Sequence, residues 1–266
     1  DVFPLLRPDW YSPFAAGEYA RAFRPAVRRA DRIIVQSRAA RADLLEVDPG
    51  LESKVAMIPN GVDTEAFGPE NSNDETEAAL VRLGVSRPYV LFTGAIQPRK
   101  NVDGLARAFA RIAGDAPHTL VLAGPAGWRG KDILGRILTG PAGRRIKHIG
   151  FVPDTLLPHL YRGADLYAFP SRAEGFGLTV LEAMASGVPV VTSTVSALPE
   201  VAGGATLTVH PDDEEALAAA MRRGLEDASA RAELRSKGLA RAREFSWART
   251  ARATWRLCIG APDEEE

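Results

Sequence analysis

From Pro88 onwards, short apolar segments alternate with segments of helical periodicity, and this alternation restricts the fold more than any other feature of the chain. The apolar segments predict buried strands at residues 89–93, 119–123, 146–149, 166–169, 188–192 and 206–209. Helices are predicted between them, the first beginning at a cap residue, Asn101, and others covering residues 131–138, 156–162 and 178–185. Continuous apolar strands that alternate with helices predict an α/β fold with a doubly wound, Rossmann-like parallel sheet.

The first sixty residues predict only part of a second Rossmann-like domain. Residues 1–13 are rich in proline and aromatic side chains, which predicts a loop, and the helix that follows is expected to be interrupted at Pro25. Two strands, 32–35 and 54–58, are too few to close a sheet. A turn at 59–63 and a polar segment at 70–77, expected to be flexible, lead into the regular half.

These features divide the chain into three predicted parts. Residues 1–60 are the remnant of an amino-terminal domain, and residues 61–245 form a carboxyl-terminal ligand-binding domain. Residues 246–266 form a final helix, from about Trp247 to Cys258, that returns towards the amino-terminal domain and ends in an acidic, disordered tail from Asp263 to Glu266.

Composition restricts the class of protein. The net charge of −1 gives no sign of nucleic-acid binding as the main task, and no apolar run approaches the length of a membrane span. The single cysteine, Cys258, excludes an intrachain disulfide and fits a reducing, cytoplasmic compartment. An arginine cluster predicts a solvated helical face, with peripheral contact to the inner membrane face as the alternative; its members are Arg21, Arg24, Arg28, Arg29, Arg32, Arg38 and Arg41.

The loop after the first regular strand carries two cations. Arg99 and Lys100 stand directly before a predicted helix, where a parallel strand delivers its loop to the ligand crevice. Two cations beside a helix dipole form a phosphate clamp, since arginine offers a planar fork and lysine a compact charge. The alternative is a pair of exposed surface cations.

A second candidate site is the turn between Glu174 and Glu182. Glycines flank Phe176 in this turn, and an apolar helix is predicted from Leu178, so the turn amides and the helix start can hold a phosphate. The two carboxylates can accept hydrogen bonds from paired hydroxyl groups of a sugar or ribose. A phosphate with hydroxyl groups beside it is the chemical pattern of a nucleotide sugar. The alternative is a buried βα unit with two solvated acids. A further alternative is a structural donor to Glu182, such as a backbone N–H.

Other nucleotide and metal motifs are absent from the sequence. Neither a G-x-G-x-x-G fingerprint after the first regular strand nor a phosphate-binding P-loop occurs, and no Asp-x-Asp or His/Cys cluster suggests a metal, so we expect no metal or cofactor. The four histidines are scattered and are expected to be structural or solvated: His118, His148, His159 and His210.

The order of these motifs resembles that of the retaining GT-B-type glycosyltransferases of family four, in the branch related to bacterial mannosyl- and rhamnosyltransferases. The matching segments are 58–63, 94–101, 122–128, 150–153, 168–182 and 196–201. The resemblance implies a donor-binding carboxyl-terminal domain joined to an acceptor-binding amino-terminal one.

The resemblance also implies roles for individual residues. Arg99 and Lys100 would neutralise the donor diphosphate, and Glu174 would contact hydroxyls of the transferred sugar; these three are the expected catalytic residues. Glu182 would hold the ribose, and the backbone of residues 150–152 would lie by the base. The expected donor-binding residues are Gly94, Val152, Ser171, Phe176, Gly177, Leu178 and Glu182.

The chain departs from the family pattern in several places. Ala95 stands where many relatives carry another arginine, Thr194 where a related pattern has asparagine, and Gly204 replaces a frequent aspartate. The family segment around Asp1 begins with a histidine one residue upstream. We therefore expect an incomplete chain that binds donor but turns over poorly.

The expected activity is transfer of a hexosyl group, with retention, from a nucleotide-diphosphate sugar to a glycan or lipid-linked acceptor. GDP-mannose is the first guess for the donor, and UDP- or dTDP-sugars stay open. The alternative is a catalytically incomplete nucleotide-sugar-binding module. An epimerase or phosphorylase is disfavoured by the 98–101 loop and by the lack of a pyridoxal-phosphate lysine, and a nicotinamide dehydrogenase by the missing fingerprint.

Overall fold

The computed structural model describes residues 1–69 and 73–261. The strands within these residues are β1 (Ile33–Val35), β2 (Val55–Met57), β3 (Tyr89–Thr93), β4 (Thr119–Ala123), β5 (Ile146–Gly150), β6 (Leu166–Phe169), β7 (Val190–Ser193) and β8 (Leu207–Val209). The helices are α1 (Phe3–Leu6), α2 (Pro13–Arg29), α3 (Arg38–Val47), α4 (Asn73–Leu83), α5 (Val102–Ala110), α6 (Gly130–Thr139), α7 (Leu157–Arg162), α8 (Leu178–Ala185), α9 (Leu198–Ala202), α10 (Glu214–Glu226), α11 (Ala228–Ala242) and α12 (Trp247–Ile259).

Six of the strands form one parallel sheet in the order β5-β4-β3-β6-β7-β8. The predicted doubly wound α/β fold is therefore confirmed. The chain runs outwards from β3 to β5, then crosses back so that β6 pairs with the other side of β3. In sheets of this type, ligands bind outside the carboxyl ends of the strands at the place where the order reverses. That place lies between β3 and β6, the two strands that precede the two candidate sites.

The core of this sheet is formed by apolar strand residues that are buried on both faces. Every residue of β3, β6 and β7 is buried. The rings of Phe92 and Phe169, on adjacent strands, stack with centroids 5.6 Å apart. Because these strands are packed on both sides, their ends are fixed, and the loops that follow them start from rigid positions.

The amino-terminal part contains its own small sheet and its own small apolar cluster. β1 and β2 pair in parallel, and the cluster includes Val2, Phe23, Val27 and Leu44. The arginine cluster predicted to be solvated begins on α2, where Arg21, Arg24, Arg28 and Arg29 are exposed.

Two local predictions for this part were wrong. Residues 1–13, predicted to be a loop, contain α1 and a 3-10 helix over Pro8–Trp10. α2 also continues through Pro25 without interruption. Pro25 faces solvent while Phe23 and Val27 face the core, so water can satisfy the carbonyl that the proline leaves without a helical partner.

The segment predicted to be flexible at 70–77 is helical from Asn73, because Asp74 and Glu75 in the first turn of α4 suit a helix amino terminus and Thr76 is buried. Residues 70–72 and the acidic tail at 263–266 lie outside the described residues.

Asn101 occupies the N-cap position of α5, as predicted, but not through a side-chain cap. Asn101 adopts a left-handed conformation, φ 54°, and its side chain makes no capping bond to α5. Its amide instead donates to the carbonyl of Pro211, 2.6 Å away. Asn101 therefore ties the loop after β3 to the segment after β8.

The last helix packs on the junction between the two parts. The hydroxyl of Thr250, in α12, donates to the carbonyl of Pro59 at 2.7 Å, and the amide of Val62 donates to the carbonyl of Phe245 at 3.2 Å. A methyl group on Gly61 would lie 2.1 Å from the backbone nitrogen of Trp247. Close backbone approach thus fixes where α12 begins.

Candidate functional site

The turn between β6 and α8 is held by three serine side chains, one within the turn and two from other segments. Ser171 donates to the carboxylate of Glu174 at 2.5 Å. Ser196 donates to the backbone carbonyl of Glu174 at 2.7 Å and accepts from its amide at 3.1 Å. Ser37, from the amino-terminal part, donates to the carbonyl of Gly175 at 2.7 Å and is fully buried. These hydrogen bonds hold the backbone of the turn in place.

Gly177 ends this turn and precedes the first residue of α8, Leu178. Its φ of 118° is a conformation that residues with a Cβ rarely adopt. The glycine lets the chain bend sharply from the turn into the helix, whose first amides have no partner within the helix. Phe176 is buried and meets the ring of Phe245 edge-on, with centroids 5.8 Å apart.

Arg99, Lys100 and Glu174 form a buried ion-pair triplet. A guanidinium nitrogen of Arg99 lies 3.0 Å from one carboxylate oxygen of Glu174, and the ammonium of Lys100 lies 2.7 Å from the other. The Lys100 ammonium also lies 4.7 Å from the ring centroid of Phe169. Arg99 donates in addition to the carbonyl of Ala173. The two cations predicted to face a diphosphate are thus brought to the glutamate predicted to face the sugar.

The triplet is one positive charge in excess of neutrality. Burial by itself would raise the pKa of Glu174, but the charges of Lys100 and Arg99 outweigh burial and lower the pKa below its ordinary value. Glu174 therefore stays ionised, and the triplet carries one net positive charge next to the turn, where the carboxylate of Asp1 also lies. An anion placed there gains attraction from both the triplet and the start of α8.

Lys100, Glu174 and the turn line one cavity of about 270 Å³. The cavity is also lined by Gly175, Phe176, Gly177, Leu178, Thr179, Asp1, Gln36 and Asn60. Arg99 is not among the residues that line this cavity. Its guanidinium contacts Glu174 and Ala173, so it acts on the cavity by holding the Glu174 carboxylate. The structure thus brings Lys100, Glu174, Phe176, Gly177 and Leu178 together.

Glu182 lies one turn into α8 and is partly exposed. Its carboxylate accepts a hydrogen bond of 2.8 Å from the hydroxyl of Tyr161. Burial raises the pKa of Glu182 to about 7; the Tyr161 hydrogen bond opposes this shift and the charge of Asp154 adds to it. The sequence predicted a donor for this acid, either a ligand hydroxyl or a backbone N–H, but did not identify a tyrosine.

The remaining predicted donor residues lie near the cavity lined by Lys100 and Glu174, or along the carboxyl edge of the six-stranded sheet. Gly94, φ 131°, follows β3, and a methyl group on it would lie 3.8 Å from the Lys100 side chain. Val152 follows β5, two strands away from β3, next to Phe151, which is 74% exposed. A ligand that reached from Val152 to Gly177 would therefore extend along the carboxyl edge of β5, β4, β3 and β6.

Three residues that support the site were missed by sequence reasoning: Ser37, Tyr161 and Ser196. Ser37 is 138 positions from its partner Gly175, so no local pattern connects the two. Ser196 and Tyr161 lie in segments that the sequence analysis had marked, but their contacts depend on how β6, β7 and α7 are placed side by side.

Each histidine has a structural contact, as expected. His148 contacts the carbonyl of Gly124, His159 contacts Thr76, His118 lies 3.7 Å from Asp165, and His210 accepts from the amide of Asp212. Within residues 1–69 and 73–261, no group of three or more His, Cys, Asp or Glu side chains could hold a metal ion. None of the helices in those ranges has the length and hydrophobicity that a membrane span requires.

Comparison with known families gives two matches. Residues 87–227 match the family described as Glycosyl transferases group 1, and residues 3–66 match the family described as Glycosyltransferase Family 4.

Two characterised relatives illustrate the similarity in sequence. O-antigen chain mannosyltransferase B of Escherichia coli is 42% identical over 162 residues, which cover 60% of this chain and 42% of that protein. D-inositol 3-phosphate glycosyltransferase of Kineococcus radiotolerans is 32% identical over 259 residues, which cover 86% of this chain and 57% of that protein. The chain thus spans about half the length of these two relatives.

Solved structures show the same fold. HepE of Anabaena, solved with UDP and glucose, superposes with a TM-score of 0.81 at 24% identity, over 96% of this chain and 69% of that one. Sucrose-phosphate synthase of Thermosynechococcus elongatus superposes with a TM-score of 0.75 at 27% identity, over 91% and 64% of the two chains. The GT-B arrangement expected from the sequence is confirmed.

Proposed function

The chain belongs to the group 1 glycosyltransferases, and on that premise we propose that it transfers a hexosyl group from a nucleotide-diphosphate sugar to a glycan or lipid-linked acceptor, with retention of configuration. One observation carries the proposal: Lys100, Glu174 and the start of α8 line a single cavity at the point where the strand order reverses.

The chemistry follows from where charge develops. When the bond between the sugar and the diphosphate breaks, negative charge grows on the departing diphosphate. Fixed cations and helix amides stabilise that charge without having to reorganise. Lys100 and the amides after Gly177 would face the diphosphate, and Arg99 would hold Glu174 in place while adding to the positive potential.

Glu174 would have two partners in turn. Its carboxylate pairs with both cations in this structure. With donor present, the diphosphate would take part of that positive charge, and Glu174 would accept hydrogen bonds from hydroxyls of the transferred sugar. Glu182 would accept from the ribose hydroxyls, Phe176 and Leu178 would contribute backbone to the sugar and phosphate, and Val152 would lie by the base.

Support for the donor comes from two kinds of relative. Mannosyltransferases are prominent among the characterised relatives, which favours GDP-mannose. HepE, in contrast, has been solved with UDP-glucose, which keeps uridine nucleotides as candidates. The cations of the site supply the positive charge at the diphosphate, so a metal-independent reaction is part of the proposal.

The first test is a thermal-shift panel of GDP, UDP and dTDP with their sugars, measured in the presence of a chelator. We expect one nucleotide and its sugar to raise the melting temperature.

Lys100→Gln should weaken binding of that nucleotide diphosphate by about 1–3 kcal/mol, because a charge-assisted hydrogen bond is lost. The matched control is Lys131→Gln, since Lys131 is an exposed lysine of α6. Equal binding by both variants would contradict the proposed site.

A nucleotide-sugar-binding module without transfer activity is the second candidate. It rests on the same donor cavity, whose lining accounts for binding by itself. Binding in the panel, combined with no consumption of the nucleotide sugar in the presence of lipid-linked or glycan acceptors, would favour this module over the enzyme.

A further inference from the structure

A chain of buried hydroxyl groups runs from the central sheet to the carboxylate of Glu182. The hydroxyl of Tyr167, in β6, lies 2.9 Å from that of Thr93, at the end of β3. Thr93 lies 2.7 Å from the hydroxyl of Tyr161, in α7, and Tyr161 lies 2.8 Å from Glu182. Tyr161 and Tyr167 are fully buried.

When Glu182 is ionised, its carboxylate determines the direction of every hydrogen bond in this series of hydroxyl groups. An ionised carboxylate only accepts, so Tyr161 must donate its single hydrogen to Glu182. The Tyr161 oxygen then accepts from Thr93, whose oxygen in turn accepts from Tyr167. Each donor strengthens the next, because a hydroxyl that accepts a hydrogen bond becomes a better donor.

We propose that Tyr161 is a positioning residue for the donor: its hydroxyl holds the Glu182 carboxylate in the orientation that accepts hydrogen bonds from the ribose. This inference rests on the proposed function, in which Glu182 faces the ribose. Tyr161 itself would not touch the ligand, since it is buried behind the carboxylate.

Tyr161 affects the ionisation of Glu182, because the other influences on this acid favour its protonated form. Burial and the neighbouring Asp154 both favour the protonated acid, whereas the Tyr161 hydroxyl favours the carboxylate. The hydroxyl of Tyr167, on β6, lies beyond Thr93 and interacts with Glu182 through space. Removing the Tyr161 hydroxyl should therefore raise the pKa of Glu182 above its present value of about 7.

The experiment measures the dissociation constant of a nucleotide sugar between pH 6 and pH 9 for the wild type and for Tyr161→Phe. The probe is GDP-mannose or UDP-glucose, whichever binds in the panel above; a bare diphosphate is avoided because its terminal phosphate titrates near pH 6. We expect Tyr161→Phe to bind about threefold to tenfold more weakly at pH 7.5, as for loss of one typical intramolecular hydrogen bond. The pH midpoint of binding should also move upwards.

Tyr89→Phe is the matched control. Tyr89 is also fully buried, and its hydroxyl donates to the carbonyl of Leu160 at 2.6 Å, next to Tyr161 in the chain but without contact to Glu182. This variant also loses one buried tyrosine hydrogen bond, so it should lose comparable stability yet keep the wild-type midpoint. If both variants shift binding and midpoint equally, the positioning role of Tyr161 is refuted.

A second variant and a second ligand complete the test. Thr93→Val removes the donor to Tyr161 while keeping the side-chain shape, so a smaller shift in the same direction is expected. This variant covers the case in which Tyr161→Phe fails to fold.

Binding of the 2′-deoxyribose form of the nucleotide sugar should be weakened much less by Tyr161→Phe than binding of the ribose form. If the wild type binds the ribose and deoxyribose forms equally at every pH, the assignment of Glu182 in the proposed function fails, and the inference fails with it. If the wild type prefers ribose but Tyr161→Phe matches Tyr89→Phe, only the inference fails.

Discussion

At the scale of single residues, Glu182 shows how a partly buried carboxylate can lower stability. Its pKa is raised from 4.5 to about 7, mainly by burial, so the folded protein holds this proton more tightly than the unfolded chain does. The free energy of unfolding therefore falls as the pH rises from about 4.5 to about 7 and stays lower above that range. A carboxylate kept at such a position is consistent with use for binding rather than for stability.

Glu182→Gln should stabilise the protein at alkaline pH. A neutral amide avoids the ionisation of a buried acid, so we expect the free energy of unfolding at pH 8 to rise by about 1–3 kcal/mol, with no difference near pH 4.5. Denaturant unfolding at the two pH values measures this. Glu233→Gln is the control, because Glu233 is exposed and pairs with Lys237 at 2.6 Å, and it should give no gain at pH 8. Unchanged stability of Glu182→Gln at pH 8 would show that Glu182 is not held at a raised pKa.

At the scale of elements, the connection from β6 to α8 depends on one backbone conformation. Gly177 has a φ of 118°, and a methyl group there would lie 2.8 Å from the side chain of Leu198. Both the strain and the contact oppose any residue with a Cβ. The same turn supplies the amides that the proposed diphosphate site needs.

Gly177→Ala should therefore destabilise the protein by about 1–3 kcal/mol and weaken nucleotide binding. Gly135→Ala is a matched control in the interior of α6, where nothing lies within 4 Å of the added methyl group. That substitution should stabilise the protein by about 0.5–1 kcal/mol and leave binding unchanged. Thermal unfolding with and without nucleotide measures both effects. If Gly177→Ala bound nucleotide as the wild type does, the turn would not be part of the site.

At the scale of the whole molecule, two apolar cores of unequal size are joined by specific contacts. The large core packs around the six-stranded sheet, whereas β1 and β2 pack against a small apolar cluster of their own. The parts meet where Ser37 bonds to Gly175 and where the amide of Arg38 donates to the carboxylate of Glu200 at 2.9 Å. Both contacts bring the start of α3 to the carboxyl edge of the large sheet.

Native-state hydrogen exchange should resolve these two cores. We expect amides of β3 and β6 to exchange only through global unfolding, and those of β1 and β2 through a local opening of lower free energy. The reason is the smaller apolar area that the amino-terminal cluster buries. Exchange followed by mass spectrometry at increasing denaturant measures the opening free energies, and equal values for both sheets would contradict the prediction.

The sequence alone determined the doubly wound sheet and located both candidate loops at strand ends. Apolar periodicity and turn residues act within a few positions, so the strands at 89–93, 119–123 and 166–169 and the glycine turn before α8 could be predicted from local patterns. Glu182 could likewise be predicted to need a hydrogen-bond donor, because an apolar helix buries it.

Only the tertiary structure decided which groups meet. Lys100 pairs with Glu174 across 74 positions because β3 and β6 are neighbours in the sheet although β4 and β5 lie between them in the chain. Ser37 reaches Gly175 across 138 positions because the start of α3, in the amino-terminal part, packs against the turn before α8. The helix in place of a predicted loop at residues 3–6 has the same origin, since Phe3 is buried against other segments. Local patterns determine the helices and strands. Charge pairing and hydrogen bonding between distant residues depend on which segments are neighbours in the folded protein.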